Sequence, residues 1–215
     1  MDEALRVREF WFGKLTGPLR IPGGLAAQAQ ELSRRSLLWF QSNAQLVGQQ
    51  DELIRAGFQV LVERAGRGEL NPWADSPRRR LSLIILLDQF PRQIYRGSPQ
   101  AFAYDAQALA LTLSGMQSAA DAALNIVERL FFYMPLQHAE STEVQDESVA
   151  AYKRLVAETP AELRPPFEEA LTWAEQHRAI VRQFGRFPHR NRLLGRETTA
   201  EEEAYLRKND ERFGQ

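Results

Sequence analysis

Apolar residues recur every three or four positions along most of the chain, which is the spacing of one face of an α-helix. Alternating runs rich in Val, Ile and Thr, the pattern of a half-buried strand, are missing from the sequence. The pattern therefore predicts an all-α protein. The predicted helices span about residues 3–12, 25–42, 49–66, 78–90, 101–114, 120–133, 142–157 and 166–183, with a last helix that ends near Lys208.

Several helix boundaries can be predicted from residues that favour helix ends. Ser76 and Pro77 suit the N-cap and the first helical position, and Gly185 suits the left-handed residue that follows a helix. Pro135 is expected to end the helix before it. Two further starts are predicted from capping-box spacing, at Thr142 with Gln145 and at Thr198 with Glu201.

The segment 78–90 is apolar on almost every side in its second half, so it is predicted to be the central, most buried helix. Pro91 is expected to disrupt or end it. Because the connections between helices are short, the helices are expected to stack as antiparallel hairpins. No linker or charged run divides the sequence, and we therefore treat residues 1–215 as a single domain.

Composition excludes several classes of protein. A formal net charge of −1 over 215 residues argues against a general nucleic-acid binder, which carries a surplus of basic residues. The chain has no cysteine, so thiol nucleophiles, disulfides and thiolate metal sites are excluded. The longest apolar run, residues 83–87, is far too short to cross a bilayer, and the first residues carry acids. We expect no membrane association, and a cytoplasmic protein.

The segment 184–196, FGRFPHRNRLLGR, is the strongest candidate for a binding site. It alternates guanidinium groups with apolar residues that favour burial, whereas an ordinary connection is rich in Gly, Ser, Asp or Asn. Since a helix C-terminus does not attract anions, an anion bound here depends on the side chains. The candidate contacts are Arg186, His189, Arg190, Asn191 and Arg196. Alternatively, these arginines pin the loop to carbonyl groups and to acids such as Asp88 or Glu140.

Asp88 lies within the apolar central helix, one turn before Arg92, so an i,i+4 ion pair is available to it. In one interpretation the pair fixes the packing of the helix, because a buried carboxylate needs a partner. In the other, Arg92 points into a cleft and Asp88 orients it.

The three histidines are also candidates. His138 and Glu140 follow Pro135, and a general base oriented by a carboxylate is favoured there over a metal site, because HExxH spacing and a second close histidine are missing. His177 lies on the apolar stripe of the helix 166–183, together with Trp173 and Phe184, where a histidine is either a core residue or a ligand contact.

Three motifs give the sequence a family resemblance: LSLIILLDQFPRQIYRG at 81–97, FFYMPLQHAEST at 131–142 and FGRFPHRN at 184–191. The chain resembles, over nearly its whole length, a bacterial family classed as a domain of unknown function. The resemblance implies a tetratricopeptide-like (TPR-like) α-α superhelix. It also implies one inward-facing polar constellation, at Asp88, Arg92, His138, Glu140, His177, Arg186, His189, Arg190 and Asn191. Gln93, Gln137 and Ala139 stand where the family usually has Asn, Glu and Ser.

The leading hypothesis is a helical protein that binds an anionic ligand, either an acidic peptide, a carboxylate or a phosphorylated small molecule, in a pocket lined by Arg, His and Asp. A second hypothesis is a hydrolase-like enzyme, with His138 or His189 as general acid or base and arginine stabilising an oxyanion. A third is a structural polar network, with a surface for a protein partner elsewhere. We predict neither a cofactor nor a metal ion.

Overall fold

The computed structural model describes residues 2–17, 24–40 and 43–208, and within them it contains helices and turns but no strand. The predicted all-α class is confirmed. None of the helices in these ranges is long and apolar enough to cross a membrane. The α-helices are α1 (Glu3–Phe12), α2 (Gly24–Trp39), α3 (Ala44–Gly66), α4 (Pro77–Ile84), α5 (Phe90–Ile94), α6 (Asp105–Gln117), α7 (Ile126–Phe132), α8 (Met134–Gln137), α9 (Thr142–Glu158), α10 (Pro165–Phe184) and α11 (Ala200–Lys208).

The central helix does not end at Pro91. α4 continues through a π-helical turn, Ile85–Gln89, into α5, and Pro91 lies in the first turn of α5. In the wider turn the Phe90 N–H donates to the Ile85 carbonyl, five residues back. A proline inside a regular α-helix clashes with the carbonyl four residues before it, and the extra residue in the turn relieves that clash. The π turn also carries Asp88, which is fully buried.

The core is built around an aromatic cluster contributed by distant parts of the chain. Trp11 of α1 is fully buried, and its ring centre lies 5.6 Å from that of Phe90 and 5.4 Å from that of Phe131. Trp39 of α2 packs on the same Phe131 at 4.6 Å. The aromatic residues near the N-terminus therefore seal the core.

α9 and α10 form a helical hairpin, connected by a short turn at Ala161–Leu163 and packed against each other. This pair fits the predicted stacking of hairpins, while the superhelical, TPR-like arrangement of the whole chain stays a prediction. The stripe predicted on α10 needs one correction, since Trp173 is 37 % exposed. Ala170, Ala174 and His177 are buried on this helix, because the face that packs on α9 is rotated away from Trp173.

Neither predicted capping box forms, and the N-cap of each helix lies one residue from the predicted position. Ser141, not Thr142, is the N-cap of α9, and its hydroxyl accepts from the Val144 N–H. At α11 the reciprocal bonds join Thr199 and Glu202, at 3.2 and 2.8 Å. In each case two adjacent hydroxyl residues compete for one role, and the tertiary position of the helix selects between them.

Other boundaries agree with the sequence or differ from it for local reasons. Ser76 is the N-cap of α4 and Gly185 ends α10 with a φ of 70°, both as predicted. α6 begins at Asp105 and not near 101, because a 3₁₀ turn precedes it. α7 begins at Ile126, six residues after the predicted start at residue 120, because Asn125 forms its capping box. α7 ends at Phe132, as expected from Pro135, which follows it in the first turn of the short α8.

We predict that Trp11→Ala lowers the free energy of unfolding by about 3–5 kcal/mol, because it removes the centre of the aromatic cluster and leaves a cavity. Urea unfolding measures the change. Trp173→Ala is the matched control, and we expect about 1 kcal/mol or less for this half-exposed ring. Equal losses for the two variants would contradict the position of the core.

Candidate functional site

The structure brings predicted residues from separate elements into one buried polar cluster. Asp88 comes from the π turn, Arg92 from α5 and His138 from the end of α8. Arg190 comes from the 3₁₀ turn Pro188–Arg190. Asp105, the first residue of α6, completes the cluster and is absent from the sequence prediction. We call these five residues the polar cluster.

Asp88 is the deepest member of the polar cluster. Its Oδ1 lies 2.6 Å from Nδ1 of His138 and 3.5 Å from NH1 of Arg92, which confirms the predicted i,i+4 pair. Gln89 donates to the other carboxylate oxygen. Burial by itself raises the pKa of a carboxyl group, but the contacts with His138, Arg92 and Gln89 outweigh it and hold the pKa of Asp88 at about 2. Asp88 is therefore ionised at neutral pH.

Arg92 lies between two carboxylates. Its NH1 and NH2 donate to the two oxygens of Asp105 at 2.8 and 2.9 Å, and NH1 also donates to the Asp88 carbonyl at 2.6 Å. Burial disfavours the charged guanidinium, yet Asp105 and Asp88 together raise the pKa of Arg92 above its ordinary value. Both terminal nitrogens of Arg92 are therefore engaged by the protein, while its buried Nε has no hydrogen-bond partner among the described residues.

Arg190 is held differently. Its guanidinium stacks between the rings of Phe102 and Phe187, at 4.7 and 4.5 Å from the ring centres. Both of its hydrogen bonds use NH1, to Oδ2 of Asp105 at 3.3 Å and to the His138 carbonyl at 3.2 Å. Nε is buried and has no hydrogen-bond partner among the described residues. Burial lowers the pKa of Arg190 to about 10, so it keeps its charge at neutral pH.

The three imidazoles are neutral at neutral pH. Burial and the nearby Arg92 lower the pKa of His138, and this outweighs the opposite effect of Asp88. Burial lowers the pKa of both His177 and His189 to about 3. The Nδ1 of His177 lies 2.7 Å from the Trp173 carbonyl, so that nitrogen carries the proton. In His138, Nδ1 points to Asp88 and the proton lies between them, which leaves Nε2 as the basic nitrogen.

The other predicted residues fix the position of the loop that carries Arg190. Arg196 donates to both oxygens of Glu140, at 2.7 and 3.0 Å, and the Phe187 N–H donates to Glu140 at 2.8 Å. Arg186 forms a second bidentate pair, with Glu202 of α11, at 2.7 and 2.9 Å, and Asn191 donates to the same carboxylate. These contacts match the alternative in which arginines pin the loop, with Glu140 as one of the predicted acids.

Sequence reasoning missed Asp105, Glu202 and Phe102. Asp105 lies 13 residues from Arg92 and 85 from Arg190 along the chain, so no local charge pattern could reveal it. Glu202 could have been found, because it follows a threonine at capping-box spacing. Both Phe102 and Asp105 lie in the segment AFAYD at 101–105, which carries no binding pattern of its own.

The polar cluster is recognisable neither as a metal site nor as a large cavity. Within residues 2–17, 24–40 and 43–208, no group of three His, Asp or Glu side chains is placed to hold a metal ion. Two clefts of about 390 and 320 Å³ lie beside α2 and the turn Ala161–Leu163, and none of the predicted site residues lines them. The buried charges of the polar cluster are therefore what distinguishes it.

Residues 7–210 match the family model described as a bacterial protein of unknown function, DUF924. The chain belongs to this family. The fold is also similar to the solved structure of a protein of unknown function from Agrobacterium tumefaciens, with a TM-score of 0.66 and 32% sequence identity. That match covers 86% of this chain and 99% of the other. No curated protein matches the sequence. The DUF924 membership confirms the resemblance seen in the three motifs.

We predict that the protein loses stability as the pH falls below neutral. An unfolded histidine binds a proton near pH 6.5, whereas folded His177, with a pKa of about 3, does not. The unfolded state thus binds more protons, and at about pH 5 His177 alone lowers the free energy of unfolding by about 2 kcal/mol relative to pH 7.5. Asp88 adds a further loss below about pH 4, toward its folded pKa of about 2.

Urea unfolding at about pH 7.5 and 5 tests this expectation. The variant His177→Gln keeps a donor for the Trp173 carbonyl and removes the titrating group, so its stability should depend less steeply on pH. A free energy of unfolding that is constant between these two pH values would contradict the neutral, buried imidazoles.

Proposed function

We propose that the protein binds an anionic group, a carboxylate or phosphate of a small molecule or acidic peptide, at the Nε–NH2 edge of Arg190. The observation that carries this proposal is the hydrogen bonding of Arg190, which uses NH1 alone. The Nε and NH2 hydrogens form a fork that donates to two oxygens of one anion. Arg190 is only 6 % exposed, so an anion bound there is shielded from competing water.

The surroundings of Arg190 also favour an incoming anion. Arg92 is paired with both carboxylates of the polar cluster, while Arg190 shares only Asp105 at the longer distance of 3.3 Å. A buried cation with a weak counter-ion is costly, and a second acceptor lowers that cost. Contacts with the phenyl rings of Phe102 and Phe187 hold the guanidinium in place, so little side-chain entropy is lost on binding.

This proposal is narrower than the pocket expected from the sequence. Arg186 and Arg196 each hold a carboxylate of the protein in a bidentate pair, at Glu202 and Glu140. Their part in binding is to position the loop around Arg190. The ligand-binding group thus reduces to one arginine, with His138 beside it.

We predict that anions raise the melting temperature through Arg190. A ligand at about 100 times its dissociation constant stabilises the folded state by about 2.7 kcal/mol. Acetate, inorganic phosphate and an acidic peptide are the probes. Arg190→Ala should abolish the shift, and Arg190→Lys should reduce it because an ammonium lacks the fork. Arg182→Ala is the matched control, since NH2 of Arg182 donates to both oxygens of Asp146 on the surface and the substitution should leave the shift unchanged.

The variant Asp105→Asn distinguishes an anion-binding site from a purely structural network. The substitution removes the negative charge that Arg190 shares, so anions should bind more tightly while the ligand-free protein becomes less stable. If no probe shifts the melting temperature, and if Arg190→Ala and Asp88→Ala each lower the free energy of unfolding by about 3–5 kcal/mol, the polar cluster is structural.

A second candidate function, acid–base catalysis, is favoured by the contact between Asp88 and His138. A buried carboxylate at 2.6 Å from Nδ1 fixes the tautomer and orientation of the ring, so that Nε2 can accept a proton. Arg190 donates to the backbone carbonyl of the same histidine and could stabilise an oxyanion there. His138 suits this role better than His189, whose pKa of about 3 makes it a weak base.

For this candidate we expect hydrolysis of an ester, phosphate or peptide substrate that falls by about 10²–10⁴-fold in His138→Ala. Asp88→Asn should lower kcat and leave KM nearly unchanged, because the carboxylate orients the base and does not contact substrate. A broad substrate panel measured with purified wild type and both variants provides the test. Absence of turnover on the panel, with anion binding retained, would favour a binding protein.

A further inference from the structure

The polar cluster is electrically balanced when no anion is bound. Two carboxylates, Asp88 and Asp105, match two guanidinium groups, Arg92 and Arg190, within hydrogen-bond or ion-pair distance. The nearby Glu140 is matched in the same way by Arg196. Adding one negative charge to such a buried set leaves it unbalanced, which is unfavourable where the dielectric constant is low.

Three neutral imidazoles lie in or beside the polar cluster, and protonation of one of them would add the missing positive charge. The groups that face His138 or act on its charge come from every element around it: Asp88 and Arg92 of the central helix, Asp105 of α6, His177 of α10, and His189 and Arg190 of the loop. Arg92 and burial disfavour its protonation, while Asp88 and Asp105 favour it. A negative charge bound at Arg190 also favours protonation of His138, and it offsets part of the positive charge of the guanidinium groups, which disfavours protonation.

We infer that the site takes up its anion together with one proton, which His138 binds at Nε2. This inference rests on the proposed function, because it assumes an anion at Arg190. Before binding, the polar cluster has no net charge and its imidazole is neutral. After binding, the positive imidazolium of His138 balances the negative charge of the anion, so the net charge is again zero. The proton comes from solvent, and no covalent bond is formed or broken.

His138 is favoured over His177 and His189 by its contacts. Its Nδ1 lies 2.6 Å from a carboxylate, which stabilises the imidazolium, whereas the Nδ1 of His177 faces a backbone carbonyl. Arg190 donates to the backbone carbonyl of His138, and Asp105 acts on both residues, so a charge added at Arg190 is added to the cluster that contains His138. His189 is disfavoured by burial and by Arg190, which lower its pKa to about 3.

The charge balance also selects the class of anion. One proton compensates one negative charge, so a carboxylate fits the cluster, whereas a phosphate dianion leaves one charge uncompensated. A planar carboxylate also matches the Nε–NH2 fork of Arg190, whose guanidinium contacts two phenyl rings. We therefore expect a monocarboxylate as the preferred ligand.

Titration calorimetry with acetate tests the inference. Measured in two buffers that differ in ionisation enthalpy, binding to the wild-type protein should take up about one proton per acetate at neutral pH. The affinity should rise by up to about tenfold for each pH unit lowered between about pH 8 and 6. Inorganic phosphate should bind more weakly than acetate at the upper end of this range, where it is a dianion.

The variant His138→Gln identifies the proton acceptor. The amide can still donate to Asp88, so acetate should bind more weakly, with no proton uptake and no dependence on pH. Arg182→Ala on the surface should behave as wild type. If His138→Gln does not fold, carbon-detected NMR titration of the histidine rings in the wild-type protein replaces it. Saturating acetate should then raise the pKa of one imidazole toward or above neutral pH, and leave the other two neutral.

The outcomes separate the inference from the proposed function. Acetate binding that needs Arg190 but takes up no proton, and does not vary with pH, would overturn the inference alone. Proton uptake that persists in His138→Gln would place the proton elsewhere and would overturn it too. If neither acetate nor phosphate binds, or if binding survives Arg190→Ala, the proposed function fails and the inference fails with it.

Discussion

The burial of one carboxylate, Asp88, is the constraint on which the rest of the structure depends. An ionised carboxylate with no exposed surface is tolerated only with partners, and Asp88 obtains them from His138, Arg92 and Gln89. The π turn is what makes the arrangement possible. It lets the central helix pass Pro91, and it places the carboxylate of Asp88 within 2.6 Å of the segment after α8.

Positive and negative side chains alternate from Asp88 toward the loop after α10. Arg92 balances Asp88 and engages Asp105, and Asp105 in turn reaches Arg190 in the loop after α10. Arg190 is the end of the series, and neither its Nε nor its NH2 takes part in its hydrogen bonds. A second network, in which Arg196 holds Glu140 and Arg186 holds Glu202, fixes the loop and does not share its acceptors with the first. The two networks have different tasks, although their residues are interleaved in one sequence motif.

The errors in the sequence prediction have local causes. The π turn could not be predicted, because the spacing of apolar residues changes little when one turn contains an extra residue. Pro91 was therefore expected to disrupt or end the central helix, which in fact continues past it. Ser141 and Thr142, or Thr198 and Thr199, have nearly the same capping chemistry, and only the packing of α9 and α11 selects one of each pair.

Gln137 and Gln93, which stand where the family usually has Glu and Asn, form neutral hydrogen bonds. Gln137 donates to the Ala170 carbonyl, and Gln93 accepts from Gln50.

The sequence by itself determined the all-α class, the buried central helix, the Asp88–Arg92 pair and the family, because these follow from helical periodicity, i,i+4 spacing and contiguous motifs. It also identified the residues of the polar cluster, apart from Asp105. Only the tertiary structure decided how each arginine is used. Arg186 and Arg196 meet acids that lie 16 and 56 residues away, while Arg190 meets an acid 85 residues away and shares it with Arg92. Such pairings form when distant helices pack, so hydrogen-bond geometry in the folded chain, and not residue type, separates a structural arginine from one that can bind a ligand.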